Sequence, residues 1–231
     1  MATVTTSEEV GIQPAAPYWA VAGRKYAVEA IGSFFLTFAV AVSVLTHSAF
    51  TPLAAGATLM VMVYAGGHIS GGHYNPAVTM AALVRRRIGI GDAVAYWITQ
   101  VIAGVVAGVV ARALVNPPAV KTLALSGHTE AAAAVVDVLI TFALCYVVLN
   151  VATSKDQPGN GFFGLAIGFT VAAGAFAVGG ISGGAFNPQV ALGGATAGLF
   201  AWSTIWVYIV AELAAGVLAG LAFLALNPGD R

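Results

Sequence analysis

Six long apolar segments constrain the fold of this chain more than any other feature. They cover residues 26–45, 53–65, 93–115, 131–151, 162–178 and 203–226. Most of them approach the roughly 20 residues that an α-helix needs to cross the hydrocarbon core of a bilayer. The second segment looks short because Gly66 and Gly67 obscure its end. The sequence therefore predicts six transmembrane helices.

The composition favours lipid over water as the solvent of these segments. Only 8% of the 231 residues are charged and 59% are hydrophobic, whereas a soluble surface needs roughly a quarter charged residues. Acidic and basic residues balance, so nothing indicates a nucleic-acid partner. The single cysteine, Cys145, excludes an internal disulfide and argues against a metal cluster. We expect an integral protein of the lipid bilayer with no cofactor, no metal and no enzymatic activity.

The two halves of the chain resemble each other. Each contains three apolar segments, and the Asn-Pro motifs at Asn75 and Asn187 are 112 residues apart. Because three spans is an odd number, the second copy must enter the membrane from the opposite face, which makes an inverted repeat. We predict a flexible cytoplasmic tail, residues 1–22, before the two repeats of one domain. The repeats cover residues 23–118 and 119–227.

The distribution of Lys and Arg predicts the orientation. With a cytoplasmic amino terminus, seven basic residues lie at inside ends of the spans and two, Arg112 and Lys121, lie outside. This asymmetry obeys the positive-inside rule. We therefore expect both termini in the cytoplasm and a location in the plasma (cell) membrane.

Each Asn-Pro motif interrupts an apolar region with helix-starting chemistry. Asn is a preferred N-cap residue and Pro is favoured at the first helical position. The motifs predict half-helices over residues 76–87 and 188–198. Each is long enough for about half a bilayer at 1.5 Å rise per residue. The fold class predicted from the sequence is an all-α membrane protein with six transmembrane helices and two re-entrant half-helices.

Two half-helices that meet at the membrane centre create a polar site there. Irregular backbone at this depth is tolerated where it lines a water-filled cavity or is buried in protein. The Asn side chains can cap the helices and still donate hydrogen bonds, while loop carbonyls act as acceptors. The predicted midplane residues are Asn75, Pro76, Ala77, Asn187, Pro188 and Gln189. The predicted carbonyl ladder comes from Gly71, Gly72, His73 and Gly183.

At these residues the chain resembles the aquaporin, or major intrinsic protein, family. The resemblance covers residues 26–226 and includes the paired Asn-Pro motifs and the stretch "GHISGGHYNPAVT". It implies six helices with two half-helices, a pore in every subunit and a homotetramer. It also implies passive passage of water and, in some branches of the family, of small uncharged solutes such as glycerol or urea. Exclusion of ions is expected from the positive ends of the two half-helix dipoles. Asn75 and Asn187 carry over as the donors at the midplane.

The second motif departs from the family pattern. Members of the family usually have Asn-Pro-Ala-Arg, and the Arg lines the outer constriction, whereas this chain has Val190 in that place. Counting from the Asn residues, the other constriction positions fall on Ala55, Ala175 and Gly184. The resulting ring is small, apolar and uncharged, which argues against strict water selectivity.

The resemblance also gives roles to acidic residues inside the predicted spans. The family acid that opens a span braces the re-entrant loop by accepting backbone hydrogen bonds, which predicts this role for Glu29 and Asp137. Glu212 has no such assignment. His68 and His73 are more simply explained by hydrogen bonds to loop carbonyls than by a metal site.

Two other functions fit some of these features. A secondary transporter also uses inverted repeats and broken helices, but it would couple flux to an ion gradient. A structural membrane protein with a closed pore is the second alternative.

Overall fold

The computed structural model describes residues 18–230 as eight α-helices joined by short connections. Among these residues, six helices are long and apolar enough to cross a membrane. The six are α1 (Tyr18–Leu45), α2 (Thr51–Ser70), α4 (Ile90–Val115), α5 (His128–Thr153), α6 (Phe163–Ser182) and α8 (Ile205–Leu226). The two short helices are α3 (Pro76–Val84) and α7 (Pro188–Thr196). One turn of 3-10 helix, Trp202–Thr204, precedes α8.

The long helices pack in three main pairs. Helix α1 lies against α4, α5 against α8, and α2 against α6, so that the third pair joins the two halves of the chain. The half-helices cross over as well, because α3 packs on α8 and α7 packs on α4. Each half-helix is therefore held by the last long helix of the other half. This exchange places both short helices inside the bundle.

Glycines on α4 and α8 permit this close packing. An added Cβ at Gly104 would lie 2.7 Å from the carbonyl oxygen of Gln189, and one at Gly108 would overlap that of Gly193. On α8, Gly216 and Gly220 face α3 in the same way. Small residues let helix backbones approach closely in a membrane, where the hydrophobic effect adds little to helix association. The Gly-x3-Gly patterns thus serve the crossed half-helix contacts.

Gly108→Ala is expected to destabilise the protein, because the new methyl group meets a backbone oxygen that cannot move aside. Overpacking of this kind costs about 1–3 kcal/mol. Gly91→Ala is a matched control in the same helix, since its Cβ would have nothing within 4 Å. We expect a lower midpoint of thermal unfolding for Gly108→Ala in detergent and no loss for Gly91→Ala. Equal midpoints would contradict the packing account.

Several boundaries differ from the sequence prediction. Helix α1 begins at Tyr18, inside the predicted tail of residues 1–22, while residues 1–17 lie outside the described part of the chain. Helix α2 continues through Gly66 and Gly67 to Ser70, because α1 and Tyr74 pack closely on Gly66 and hold the helix together. Glycine lowers helix propensity by about 1 kcal/mol, which such packing overrides.

The half-helices are shorter than predicted. Helix α3 ends at Val84 rather than at residue 87, because Arg86 adopts a left-handed conformation with φ 67°. Helix α7 ends at Thr196 rather than at residue 198, where Gly198 has φ 85°. A left-handed residue cannot continue a right-handed helix, and it commonly ends one.

Candidate functional site

The two half-helices begin with the same cap. Asn75 has an extended backbone, and its Oδ1 accepts a hydrogen bond from the N–H of Ala77 at 2.8 Å. Asn187 does the same with the N–H of Gln189 at 3.1 Å. A Pro follows each Asn at the first helical position, where no N–H is needed. The local sequence thus explains why both helices start where they do.

The same two side chains also tie the loops together. Asn75 Nδ2 donates to the carbonyl of Phe186 at 2.9 Å, and Asn187 Nδ2 donates to the carbonyl of Tyr74 at 2.9 Å. Each amide group has a second N–H. Both Asn residues are buried. The N-termini of α3 and α7 are therefore fixed to each other by two reciprocal hydrogen bonds.

Three cavities follow one another along α2, and they are named outer, central and inner in order from the start of the helix to its end. The outer cavity, about 530 Å³, lies at the start of the helix beside Thr51 and Ala55. The central cavity, about 20 Å³, contacts Ala55, Leu59 and both capping Asn residues. The inner cavity, about 610 Å³, lies at the end of the helix beside His68. A water molecule needs about 10–15 Å³ of such space, so the central cavity fits one water at a time.

The four residues predicted for the outer constriction all line this series of cavities. Ala55 and Gly184 line both the outer and the central cavity, Ala175 lines the outer one, and Val190 lines the central one. Apolar residues that sequence reasoning did not select complete the wall of the central cavity. They are Leu36, Val40, Leu59, Leu144, Val171, Ala185 and Phe186. No charged side chain of the described residues lines the central cavity.

A fourth cavity lies behind Val190. It measures about 140 Å³ and has mostly apolar walls, with the Thr37 side chain and Lys121 among its lining residues. Val190 and Gly184 separate this side cavity from the central one, since they line both. The small size of Val190 therefore leaves space beside the narrow region.

The glycine-rich legs enter the cavities from opposite ends. Gly71 (φ 88°) and His73 line the inner cavity, while Gly183 (φ 84°) lines the outer one. The left-handed conformation at Gly71 and Gly183 ends α2 and α6 and turns the chain toward the half-helix, which glycine permits without strain. Gly72 is buried and belongs to none of these cavity walls.

The remaining predicted midplane residues face helices instead of cavities. Gln189 is fully buried, and its Nε2 donates to the carbonyl of Ser33 on α1 at 3.3 Å. Ala77 packs on Gly216 of α8. Pro76 and Pro188 are buried at the first positions of their helices. The cause is helical geometry, because a residue two positions after the cap points away from the side that the cap faces.

Glu29 braces the first loop. Its Oε1 accepts hydrogen bonds from the Ser70 hydroxyl at 2.7 Å and the His73 N–H at 2.9 Å. Its Oε2 accepts from the Tyr74 N–H at 2.7 Å and from Gln100 Nε2 at 2.9 Å. Four donors compensate for the burial of this carboxylate.

Asp137 makes a different set of contacts from the one predicted. Its Oδ1 accepts a hydrogen bond from the Ser182 hydroxyl at 3.0 Å, and its Oδ2 has no donor among the described residues. No backbone N–H of the second loop reaches it in that part of the chain. The prediction that Asp137 accepts backbone hydrogen bonds is therefore corrected. The physical reason is length, since Asp is one methylene shorter than the Glu at the matching place.

The inner end of α3 carries a charged cluster that sequence reasoning missed. The buried Arg85 guanidinium contacts an Asp230 carboxylate oxygen at 2.9 Å and lies 3.9 Å from the centre of the Phe223 ring. Burial alone would raise the pKa of Asp230, but hydrogen bonds from the Lys155 N–H and from Arg85 hold this pKa at about 2. The stabilising charge of Asp230 is therefore present above the usual Asp pKa and is lost as the pH falls toward 2.

Comparison with known proteins identifies the family. Residues 18–223 match the family described as Major intrinsic protein. The chain belongs to the major intrinsic protein family. It is therefore a membrane channel and not an enzyme.

Individual relatives agree with this assignment. The chain is 37% identical to the glycerol uptake facilitator protein-like 6 of Lactiplantibacillus plantarum, over 90% of this chain and 100% of that protein. It is 36% identical to aquaporin TIP2-3 of Zea mays, over 87% of this chain and 86% of that protein. The fold is similar to the X-ray structure of the aquaglyceroporin from Plasmodium falciparum. That similarity has a TM-score of 0.72 at 18% identity and covers 87% of this chain and 95% of that one.

Proposed function

We propose that this major intrinsic protein conducts water and small uncharged solutes such as glycerol or urea passively, and excludes ions. The observation that carries the proposal is the central cavity of about 20 Å³, which two capping Asn residues border between two larger cavities. The names of two relatives, a glycerol uptake facilitator-like protein and an aquaporin, support glycerol and water among these permeants.

The proposed path uses the Asn residues as donors at its centre. Asn75 and Asn187 each have one amide N–H beyond their bond to the opposite loop. A permeating hydroxyl or water oxygen accepts from these donors, while carbonyls of Gly71, His73 and Gly183 accept from the permeant on either side. Gln189 and Ala77 face helices and are not part of the proposed path.

Exclusion of ions follows from the electrostatics of the same arrangement. The N-termini of α3 and α7 each concentrate roughly half a positive charge at the meeting point, which opposes cations and protons. The wall of the central cavity is apolar apart from Asn75, Asn187 and the loop backbone, so an ion would lose its hydration shell there without compensation.

The outer constriction is proposed to consist of Ala55, Ala175, Gly184 and Val190. These residues supply little bulk and no charge. Glycerol and urea therefore meet a weaker barrier here than a constriction with an Arg would give.

We further propose the arrangement in the cell from charge and symmetry. The basic residues at one set of span ends favour cytoplasmic termini. The proposed location is the plasma membrane. Residues 23–118 and 119–227 form the two inverted repeats of one channel domain that follows a cytoplasmic tail. The resemblance to the family supports a homotetramer with one pore in each subunit.

Flux through proteoliposomes tests whether the path is passive. Vesicles with the protein are expected to shrink faster than empty vesicles after an osmotic step, with a low activation energy. The rate of shrinkage is expected to be the same with and without an ion gradient. The rate of a coupled transporter would instead depend on the gradient. Equal shrinkage of loaded and empty vesicles, with correctly inserted protein, would contradict the proposal.

A further inference from the structure

The second repeat contains a buried acid whose oxygens lack donors. Glu212 of α8 is fully buried, and neither of its carboxyl oxygens accepts a hydrogen bond within the described part of the chain. The N–H of Asn187 faces this carboxyl without completing a hydrogen bond of standard geometry. An ionised carboxylate in this setting would be very costly.

The first repeat shows what stands in the matching place. Gln100 lies four residues after Tyr96, whose hydroxyl donates to the carbonyl of Ser70 at 2.7 Å. Gln100 Nε2 in turn donates to Glu29 at 2.9 Å. Gln100 is thus a neutral donor that completes the set of bonds on the bracing carboxylate.

The second repeat reproduces the Tyr and Ser contacts of the first repeat but not the amide donor. The Tyr208 hydroxyl donates to the carbonyl of Ser182 at 2.6 Å, and the Ser182 hydroxyl donates to Asp137 at 3.0 Å. Glu212 lies four residues after Tyr208, as Gln100 does after Tyr96. Asp137 lies on α5, which packs against α8, and its Oδ2 lacks a donor among the described residues as both Glu212 oxygens do. The position that supplies an amide donor in the first repeat is therefore occupied by a carboxyl group, Glu212, and Asp137 lacks that donor.

Within residues 18–230, no cation near this pair offsets its charge. Helices α3, α6 and α7, which surround it together with α5 and α8, contain no titratable side chain. The titratable groups that face the pair are Cys145 of α5 and Tyr208 of α8, both of which carry no positive charge. Two carboxylates that share a site without a cation cannot both be ionised at modest cost.

We propose that Glu212 carries a proton and donates it in a hydrogen bond to the Asp137 carboxylate. A protonated Glu has the shape of Gln, with an O–H in place of an amide N–H. Glu212 then performs in the second repeat the positioning role that Gln100 performs in the first. A hydrogen bond between a carboxylic acid and a carboxylate is charge-assisted and strong. The pair holds one negative charge, as Glu29 with Gln100 does.

Infrared spectroscopy of the purified protein in lipid tests the proton directly, independently of any solute flux. At neutral pH the wild type is expected to show the C=O stretch of a protonated carboxylic acid, and Glu212→Gln is expected to lose it. Glu130→Gln, at the start of α5, is the control that leaves the band unchanged. A wild type without this band, or a band that survives Glu212→Gln, would overturn the proposal.

Thermal unfolding gives a second readout. Glu212→Gln is expected to keep the wild-type midpoint, whereas Glu212→Ala lowers it by several degrees. The double variant Asp137→Glu with Glu212→Gln rebuilds the pairing of the first repeat, and it is expected to be at least as stable as the wild type. Raising the pH from neutral to alkaline is expected to lower the midpoint of the wild type but not that of Glu212→Gln. The reason is that unfolding of the wild type releases the proton of Glu212, which a higher pH favours, whereas Glu212→Gln has no such proton. Equal loss of stability in Glu212→Gln and Glu212→Ala would refute the role of a neutral donor.

Discussion

Asn75→Ala and Asn187→Ala are each expected to lose most of the protein's water flux. Either change removes a helix cap, which costs about 1 kcal/mol. It also leaves the carbonyl of Phe186 or Tyr74 without its donor in a buried site, which costs about 1–3 kcal/mol more. The N-terminus of the half-helix loses its tie to the opposite loop at the same time. Flux per inserted channel, measured by stopped-flow light scattering, is the quantity to compare.

A matched control separates this loss from the general effect of the substitution. Asn227 also precedes a Pro, but it follows α8, and its side chain donates to the Phe223 carbonyl of the preceding turn and to no other group of residues 18–230. Asn227→Ala is expected to insert and conduct like the wild type. If Asn75→Ala and Asn187→Ala also did so, neither Asn would be a donor of the path.

Val190→Arg is expected to reduce glycerol and urea flux relative to water flux by about tenfold, which corresponds to roughly 1.4 kcal/mol on the barrier. The side cavity of about 140 Å³ behind Val190 gives the longer side chain room to enter without displacing a helix. Its guanidinium adds both bulk and a fixed positive charge beside Gly184, which lines the side cavity and the central cavity alike. Water, which is small and accepts hydrogen bonds, tolerates this change better than larger solutes do.

Val190→Leu distinguishes bulk from charge at the same position. It is expected to lower solute flux less than Val190→Arg, since it adds volume without hydrogen-bond donors. An unchanged ratio of solute to water permeability in Val190→Arg would show that residue 190 does not border the narrowest point.

The sequence was sufficient to predict the elements with strong local causes. Apolar segments long enough for a bilayer predicted the six long helices, and the Asn-Pro pairs predicted the starts of α3 and α7. Caps act within a few residues, so a pattern in the sequence is enough to find them.

Contacts between distant parts of the chain were not predictable in the same way. The reciprocal bonds of Asn75 and Asn187 with the opposite loops depend on where two half-helices meet. The ends of α3 and α7 depend on single residues in left-handed conformations. The burial of Gln189 against α1, and the failure of Asp137 to reach the backbone, depend on side-chain direction and length at crowded helix contacts.

One signal in the sequence could have identified the altered brace. Glu29 and Gln100 correspond to Asp137 and Glu212, so the second repeat has an acid where the first has an amide. Reading the two pairs together would have predicted that Asp137 does not act alone. It would not have predicted the missing backbone hydrogen bonds, which require the coordinates of the second loop.

The permeability of wild-type proteoliposomes to glycerol and urea beside water tests the central claim most directly. The account predicts that all three pass faster than through empty vesicles, without saturation at modest solute concentration and without dependence on an ion gradient. Vesicles that conduct water but exclude glycerol and urea as completely as empty vesicles do would contradict the proposal that the small, uncharged residues Ala55, Ala175, Gly184 and Val190 form a constriction that admits these solutes.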